Sequence, residues 1–149
     1  MVADVAPLRV ADHARWEQLW SAYLRFYGVD LPPEVTSSTW SRIQSGRIHG
    51  MGIRDATKEL VGIVHYLLHD DTWSKSPACY LQDLYVDPAA RGDGYGRTLI
   101  QAVAVAAQSA GAQNPYWLTH DSNVTARQLY DRLGKNHGFI QYIYVDPKP

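Results

Sequence analysis

The sequence predicts a mixed α/β fold, one central sheet of six strands with four helices. Two periodicities and one ordering carry that expectation. Short apolar stretches bounded by turn residues suit strands, and apolar positions elsewhere recur at i, i+3, i+4 and i+7, as on one helix face. The elements then run strand, helix, helix, three strands, helix, strand, helix, strand. That order calls for antiparallel neighbours early and a right-handed parallel crossover between the fourth and fifth strands. A chain of 149 residues fits one domain, 1–149.

Leu8-Arg9-Val10 reads as the first strand and Asp12 as a helix N-cap. Trp16, Leu19, Trp20, Tyr23, Leu24 and Tyr27 follow on one helical face, with Trp16, Trp20 and Tyr23 expected in the core. Gly28 and Pro32-Pro33 close that helix, and a shorter one covers 37–44 up to Gly46. Strands over 48–54 and 60–68, joined by Asp55-Ala56-Thr57-Lys58, predict an antiparallel hairpin. Tyr80 to Val86 is the fourth strand, ended by Asp87-Pro88 because proline has no N–H for a ladder. Leu99, Ile100, Val103, Ala107 and Ala110 mark a helix over 94–110 that Gly111 stops. A strand over 116–119, a helix over 123–133 and a last strand over 139–145 complete the chain.

Lys plus Arg is 14 against 15 for Asp plus Glu, a net charge of −1. This balance argues against nucleic acid or an anionic membrane as partner, since both favour a basic surface. No apolar run reaches the roughly 18 residues of a bilayer span, and no signal peptide is visible at the start. Cys79 is the sole cysteine, which suits a reducing compartment, and the cytoplasm is the expected location. The six histidines show no metal-ligand spacing, so no metal is expected.

Between the fourth strand and the next helix lies Arg91-Gly92-Asp93-Gly94-Tyr95-Gly96-Arg97. A helix start offers unpaired N–H groups and the positive end of its dipole. Glycines there remove the β-carbons that would hold an anion away, and the arginines add charge-assisted bonds to phosphate oxygens. No Lys-Ser or Lys-Thr follows, as a nucleotide triphosphate loop requires, and the glycine spacing is not the dinucleotide fingerprint.

With "CYLQDLYVDP" before that turn and "YWLTHDSNVTARQLYDRLG" after it, the pattern resembles the GNAT acetyltransferases, in particular the small branch acting on histones, polyamines and amino-acid amines. The resemblance implies an acyl-CoA-dependent N-acyltransferase, with acetyl-CoA as donor and a primary amine as acceptor. It implies a central sheet of about six to seven strands with parallel fourth and fifth strands splayed around the cofactor, and leaves a homodimer open. It places the pyrophosphate on Arg91, Gly92, Asp93, Gly94, Tyr95, Gly96 and Arg97, with Thr98 beside them. It pairs the pantetheine arm with the backbone of Leu84, Tyr85 and Val86 as an added strand, holds the cofactor at Asn123, and sets Tyr130 beside the sulfur.

The chemistry explains these residue types. Amine attack on a thioester builds charge on the carbonyl oxygen, for which a main-chain N–H near Tyr85 is a donor. The leaving thiolate needs a proton, the role of Tyr130, and the incoming ammonium must lose one. Related enzymes often carry Glu where this chain has Gln82, and they prefer an aromatic where it has Lys135. Asp83 is the neighbouring carboxylate, but adjacent strand residues point to opposite faces. Either a local bulge turns Asp83 inward, or the base is His120, His65 or a water. Tyr27, Gln82, Asp83 and Phe139 are the expected acceptor contacts, with Asp70 and Asp71 as further acidic candidates. A CoA-binding module without turnover is the alternative function, kept open by Gln82. A monoamine or amino-acid amine is the expected acceptor, ahead of a long polyamine or a histone tail.

Overall fold

A computed structural model describes residues 4–148. It divides into two compact units with the boundary between Leu118 and Thr119.

The first unit is a five-stranded sheet in the order β1-β2-β3-β4-β5, built from β1 (Asp4–Pro7), β2 (His49–Arg54), β3 (Leu60–His69), β4 (Ala78–Val86) and β5 (Pro115–Tyr116). The first four strands pair antiparallel in succession, and β5 joins β4 in parallel. Around it are α1 (His13–Phe26), α2 (Pro33–Gln44) and α3 (Tyr95–Ser109); α4 (Val124–Leu133) is in the second unit.

One sheet face is covered by α1 and α2. Trp16, Leu19 and Trp20 from α1 and Trp40 and Ile43 from α2 form one buried cluster with Leu8, Ile48, Leu60, Ile63 and Tyr85. A Cβ on Gly50 would stand 2.8 Å from Ile43 Cγ2 and 2.9 Å from Leu8 Cδ1, so the bare backbone of β2 is what lets these side chains close on the sheet. The other face receives α3, whose buried Leu99, Ile100, Val103 and Ala107 are the periodic positions of its sequence. Arg15 ties α1 to the sheet end, donating from Nε to Leu60 O at 2.9 Å and from Nη2 to Asp87 Oδ2 at 2.7 Å.

Several elements differ from the sequence expectation. The first strand ends at Pro7, and Val10–Asp12 is a 3-10 turn, although Leu8 N–H still reaches Gly50 O. Asp12 holds the N-cap position of α1 without capping it, because its carboxylate accepts from Arg9 N and from Arg54 Nη2 instead. Helix α2 starts at Pro33, since proline suits a first helical turn where its missing N–H costs nothing. The strand expected over 116–119 shortens to Pro115–Tyr116.

The strand expected over 139–145 is not formed. That segment has no regular structure, and Phe139 is 83% exposed. Among the described residues its β-forming residues take part in no ladder, and a strand needs one to satisfy its N–H and C=O groups. The described sheet therefore has five strands rather than six to seven.

Candidate active site

Strand β4 is the axis of the site. Its apolar residues hold it between β3 and α3, but its register against β3 slips once. His65 pairs with Asp83 and Tyr66 with Leu81, so Gln82 is the extra residue of a β-bulge. Tyr80 faces the α1 side and Leu81 the opposite side. Strict alternation would then give the α1 side to Gln82 and turn Asp83 away. The bulge reverses this: Gln82 is exposed, and Asp83 points at α1 together with Tyr85.

Asp83 is held by two bonds. Tyr23 Oη donates to Oδ1 at 2.8 Å, and His65 Nδ1 lies 3.0 Å from Oδ2. His65 is 1% exposed, and its Nε2 is 3.0 Å from Trp16 Nε1. Asp83 keeps 16% of its side chain exposed, a carboxylate with one side still open. Aromatic rings stand around it. Tyr23 stacks on Trp20 at 5.3 Å, tilts against Tyr27 at 5.0 Å and meets Tyr85 edge-on at 6.3 Å. Tyr80 stacks on Tyr116 at 5.0 Å across the β4–β5 pair. Burial and then the charge of Asp83 raise the phenols of Tyr23, Tyr27 and Tyr80 above the usual tyrosine range, so all three stay protonated.

Past the bulge, one edge of β4 is left open. Its parallel pairing with β5 covers only Cys79↔Pro115 and Tyr80↔Tyr116, and β5 offers no partner from Leu81 to Val86. Leu84, Tyr85 and Val86 lie on that stretch. The strand ends at Val86, and Asp87 Oδ1 accepts from Ala89 N to start the 3-10 turn Pro88–Ala90. Arg91 folds back over the strand end. Its Nε donates to Val86 O at 3.0 Å, and its guanidinium carbon lies 5.4 Å from the Tyr85 ring centre.

Gly92 (φ +94) and Gly94 (φ +78) follow in the left-handed region, with Gly94 as the N-cap of α3. Nothing lies within 4 Å of where a Cβ would stand on either glycine. Thr98 sends both its N–H and its Oγ1 to Gly94 O at 3.0 Å. Tyr95, Gly96 and Arg97 precede it in the first turn, where N–H groups have no intrahelical acceptor. Asp93 and Arg97 are exposed beside them.

Asp70 and Asp71 have separate circumstances. Asp70 is exposed, while Asp71 accepts from Trp73 N and Gln113 Nε2, and these bonds lower its carboxyl below the usual range. Its partners make it a loop fastener. Asn123, Tyr130 and Phe139 belong to the second unit. Asn123 is the N-cap of α4 and bonds Thr119 Oγ1 through Nδ2 at 3.3 Å. Tyr130 is half-buried on α4, and its carbonyl accepts from Gly134 N at 2.7 Å.

The sequence reading missed Tyr23 and Trp16 as polar members of the site, because their apolar spacing marks them only as core. The signal available was the coincidence of a tyrosine, a histidine and an aspartate on elements predicted to pack together.

The family described as Acetyltransferase (GNAT) family matches residues 15–135. A D-amino-acid N-acetyltransferase from Saccharomyces cerevisiae is 32% identical over 93% of this chain and 88% of its own length. A thialysine N-epsilon-acetyltransferase from Bos taurus is 37% identical over 50% of this chain and 44% of its own. Among solved structures, AAC(6')-Iy in complex with a bisubstrate analogue of CoA superposes with a TM-score of 0.83 at 17% identity, covering 99% of this chain and 100% of that one.

Proposed function

The chain belongs to the GNAT acetyltransferase family, and on that premise we propose that it transfers an acetyl group from acetyl-CoA to the amine of a small monoamine or amino acid. The observation that carries the acceptor side is Asp83, a carboxylate turned by the β4 bulge into a ring of tyrosines. An ammonium group gains from both a carboxylate and aromatic faces. The S. cerevisiae relative, named for amino-acid acetylation, supports the same class of acceptor.

The donor side fits the family's co-substrate. The open space above Gly92 and Gly94 and the orphan N–H groups of Tyr95, Gly96 and Arg97 form a seat for a pyrophosphate. Asp93, Arg97 and Thr98 border it, and Arg91 adds its charge from the strand end. The open edge at Leu84, Tyr85 and Val86 accepts an extended arm by strand addition. Acetyl-CoA supplies the acetyl group as an activated thioester. Asp83 takes the proton that the ammonium gives up, a main-chain N–H near Tyr85 stabilises charge on the carbonyl oxygen, Asn123 helps hold the cofactor, and the Tyr130 hydroxyl protonates the leaving sulfur. Tyr27, packed on Tyr23, completes the acceptor contacts, and the reading puts the enzyme in the cytoplasm with no metal in the reaction.

The test is release of free CoA thiol across a panel of D- and L-amino acids, simple monoamines, spermine and a histone-tail peptide. Monoamines or amino acids should give the highest kcat/KM. A preference for spermine, with a rate falling steeply as salt is added, would mean that a wide acidic surface and not one local carboxylate selects the acceptor.

A further inference from the structure

We propose that His65 is a positioning residue, locked by Trp16 as a neutral Nδ1–H imidazole whose one proton is committed to Asp83, so that Asp83 is presented to the acceptor as a fixed carboxylate. The inference rests on the acceptor reading above and goes beyond it by assigning two buried residues a role in acceptor selection.

Hydrogen-bond chemistry dictates the lock. An indole Nε1–H donates and never accepts. Trp16 Nε1 lies 3.0 Å from His65 Nε2, so Nε2 is the acceptor and carries no proton. A neutral imidazole has one N–H, which is then on Nδ1, 3.0 Å from Asp83 Oδ2. A second proton on His65 would set two N–H groups against each other in a site with no water exposure to spare, since Trp16 is fully buried and His65 is 1% exposed. Ionisable groups packed around the pair include Tyr23 and Tyr27 from α1 and Tyr80 and Tyr85 from β4. Burial and the charge of Asp83 keep Tyr23, Tyr27 and Tyr80 protonated.

Two consequences follow for the reaction. His65 has no free nitrogen, so it is not the base that the sequence left open. Asp83 receives fixed donors on both oxygens, from Tyr23 and from His65, and these hold the carboxylate in one orientation. Its orientation comes from elements far apart in sequence. Tyr23 is 60 residues away and His65 is 18.

The decisive measurement is the nitrogen NMR spectrum of the imidazole in the full-length protein at neutral pH. Nδ1 should appear protonated and Nε2 unprotonated, and Trp16→Phe, which removes the donor that fixes Nε2 as acceptor, should let the other tautomer appear. A doubly protonated or Nε2–H ring in the unsubstituted protein overturns the proposal whatever amine is acetylated. Kinetics test the role. His65→Leu should raise the acceptor KM about 10- to 100-fold, the worth of one charge-assisted hydrogen bond, with a smaller change in kcat. His65→Asn, whose Nδ2 can replace Nδ1–H, should recover most of that loss and covers the case in which the leucine variant fails to fold. If Asp83→Asn raises KM and folded His65→Leu does not, the positioning role is wrong. If neither changes KM while the NMR signature persists, the acceptor reading is what fails.

Discussion

Replacing Gly94 with valine separates the anion seat from the fold around it. Gly94 has φ +78, where an L-residue costs roughly 1–2 kcal/mol. An added Cβ there meets nothing within 4 Å, so no packing is lost and strain is the whole structural cost. For a chain of this length that is a fall in Tm of about 2–8 °C, and the protein stays folded. Gly111, just after α3, has φ +73 and equally open surroundings, so Gly111→Val carries the same strain away from the seat. Binding should diverge between the two. A Cβ at Gly94 lifts a phosphate off the first-turn N–H groups. Losing two charge-assisted bonds at about 1.5–3 kcal/mol each weakens CoA roughly 10²- to 10⁴-fold. Isothermal titration with CoA, paired with a thermal melt of each variant, reads both quantities. Equal CoA affinity in folded Gly94→Val and Gly111→Val would refute the glycine turn as the phosphate seat.

Tyr130→Phe should keep CoA affinity by titration while lowering kcat by ~10²–10⁴-fold, the range of a general acid, and unchanged turnover would assign that proton to another group. Asp12 gives a pH-dependent prediction. Burial works to raise its carboxyl, but bonds from Arg54 and Arg9 N and their charges outweigh burial and lower it. The unfolded chain therefore binds the proton more tightly, and this stabilisation is present above about pH 4 and lost as the pH falls through the depressed folded value. Acid unfolding of Asp12→Asn, followed by circular dichroism, should show a shallower loss of stability below about pH 4 than the unsubstituted protein does.

Much of the first unit was legible because its signals are periodic and local. Trp16, Leu19 and Trp20 at helical spacing, and Leu99, Ile100, Val103 and Ala107 at the same spacing, became buried helix faces. The glycine turn was legible for another reason: left-handed φ values at Gly92 and Gly94 are what glycine is chosen for. Residues 139–145 show where pattern stops being enough. "FIQYIYV" is compatible with a strand, yet pairing depends on a neighbour the local sequence does not name. The polar side of the site was hidden for the same physical reason. Trp16 and His65 are 49 residues apart, and nothing local to either announces the bond between them.

The Gln82–Asp83 pair joins these two kinds of information. Moving a carboxylate by one position along a regular strand sends it to the other face, which is why Gln82 in place of the related enzymes' Glu looked like a lost function. In β4 the extra residue of the bulge is Gln82 itself, so the shift in sequence is cancelled by a shift in register, and the carboxylate arrives on the α1 side after all. Two fixed donors then hold it there, one from α1 and one from β3. The irregularity of the strand therefore decides which face the Asp83 carboxylate takes, and a regular strand at this point would turn it away from α1.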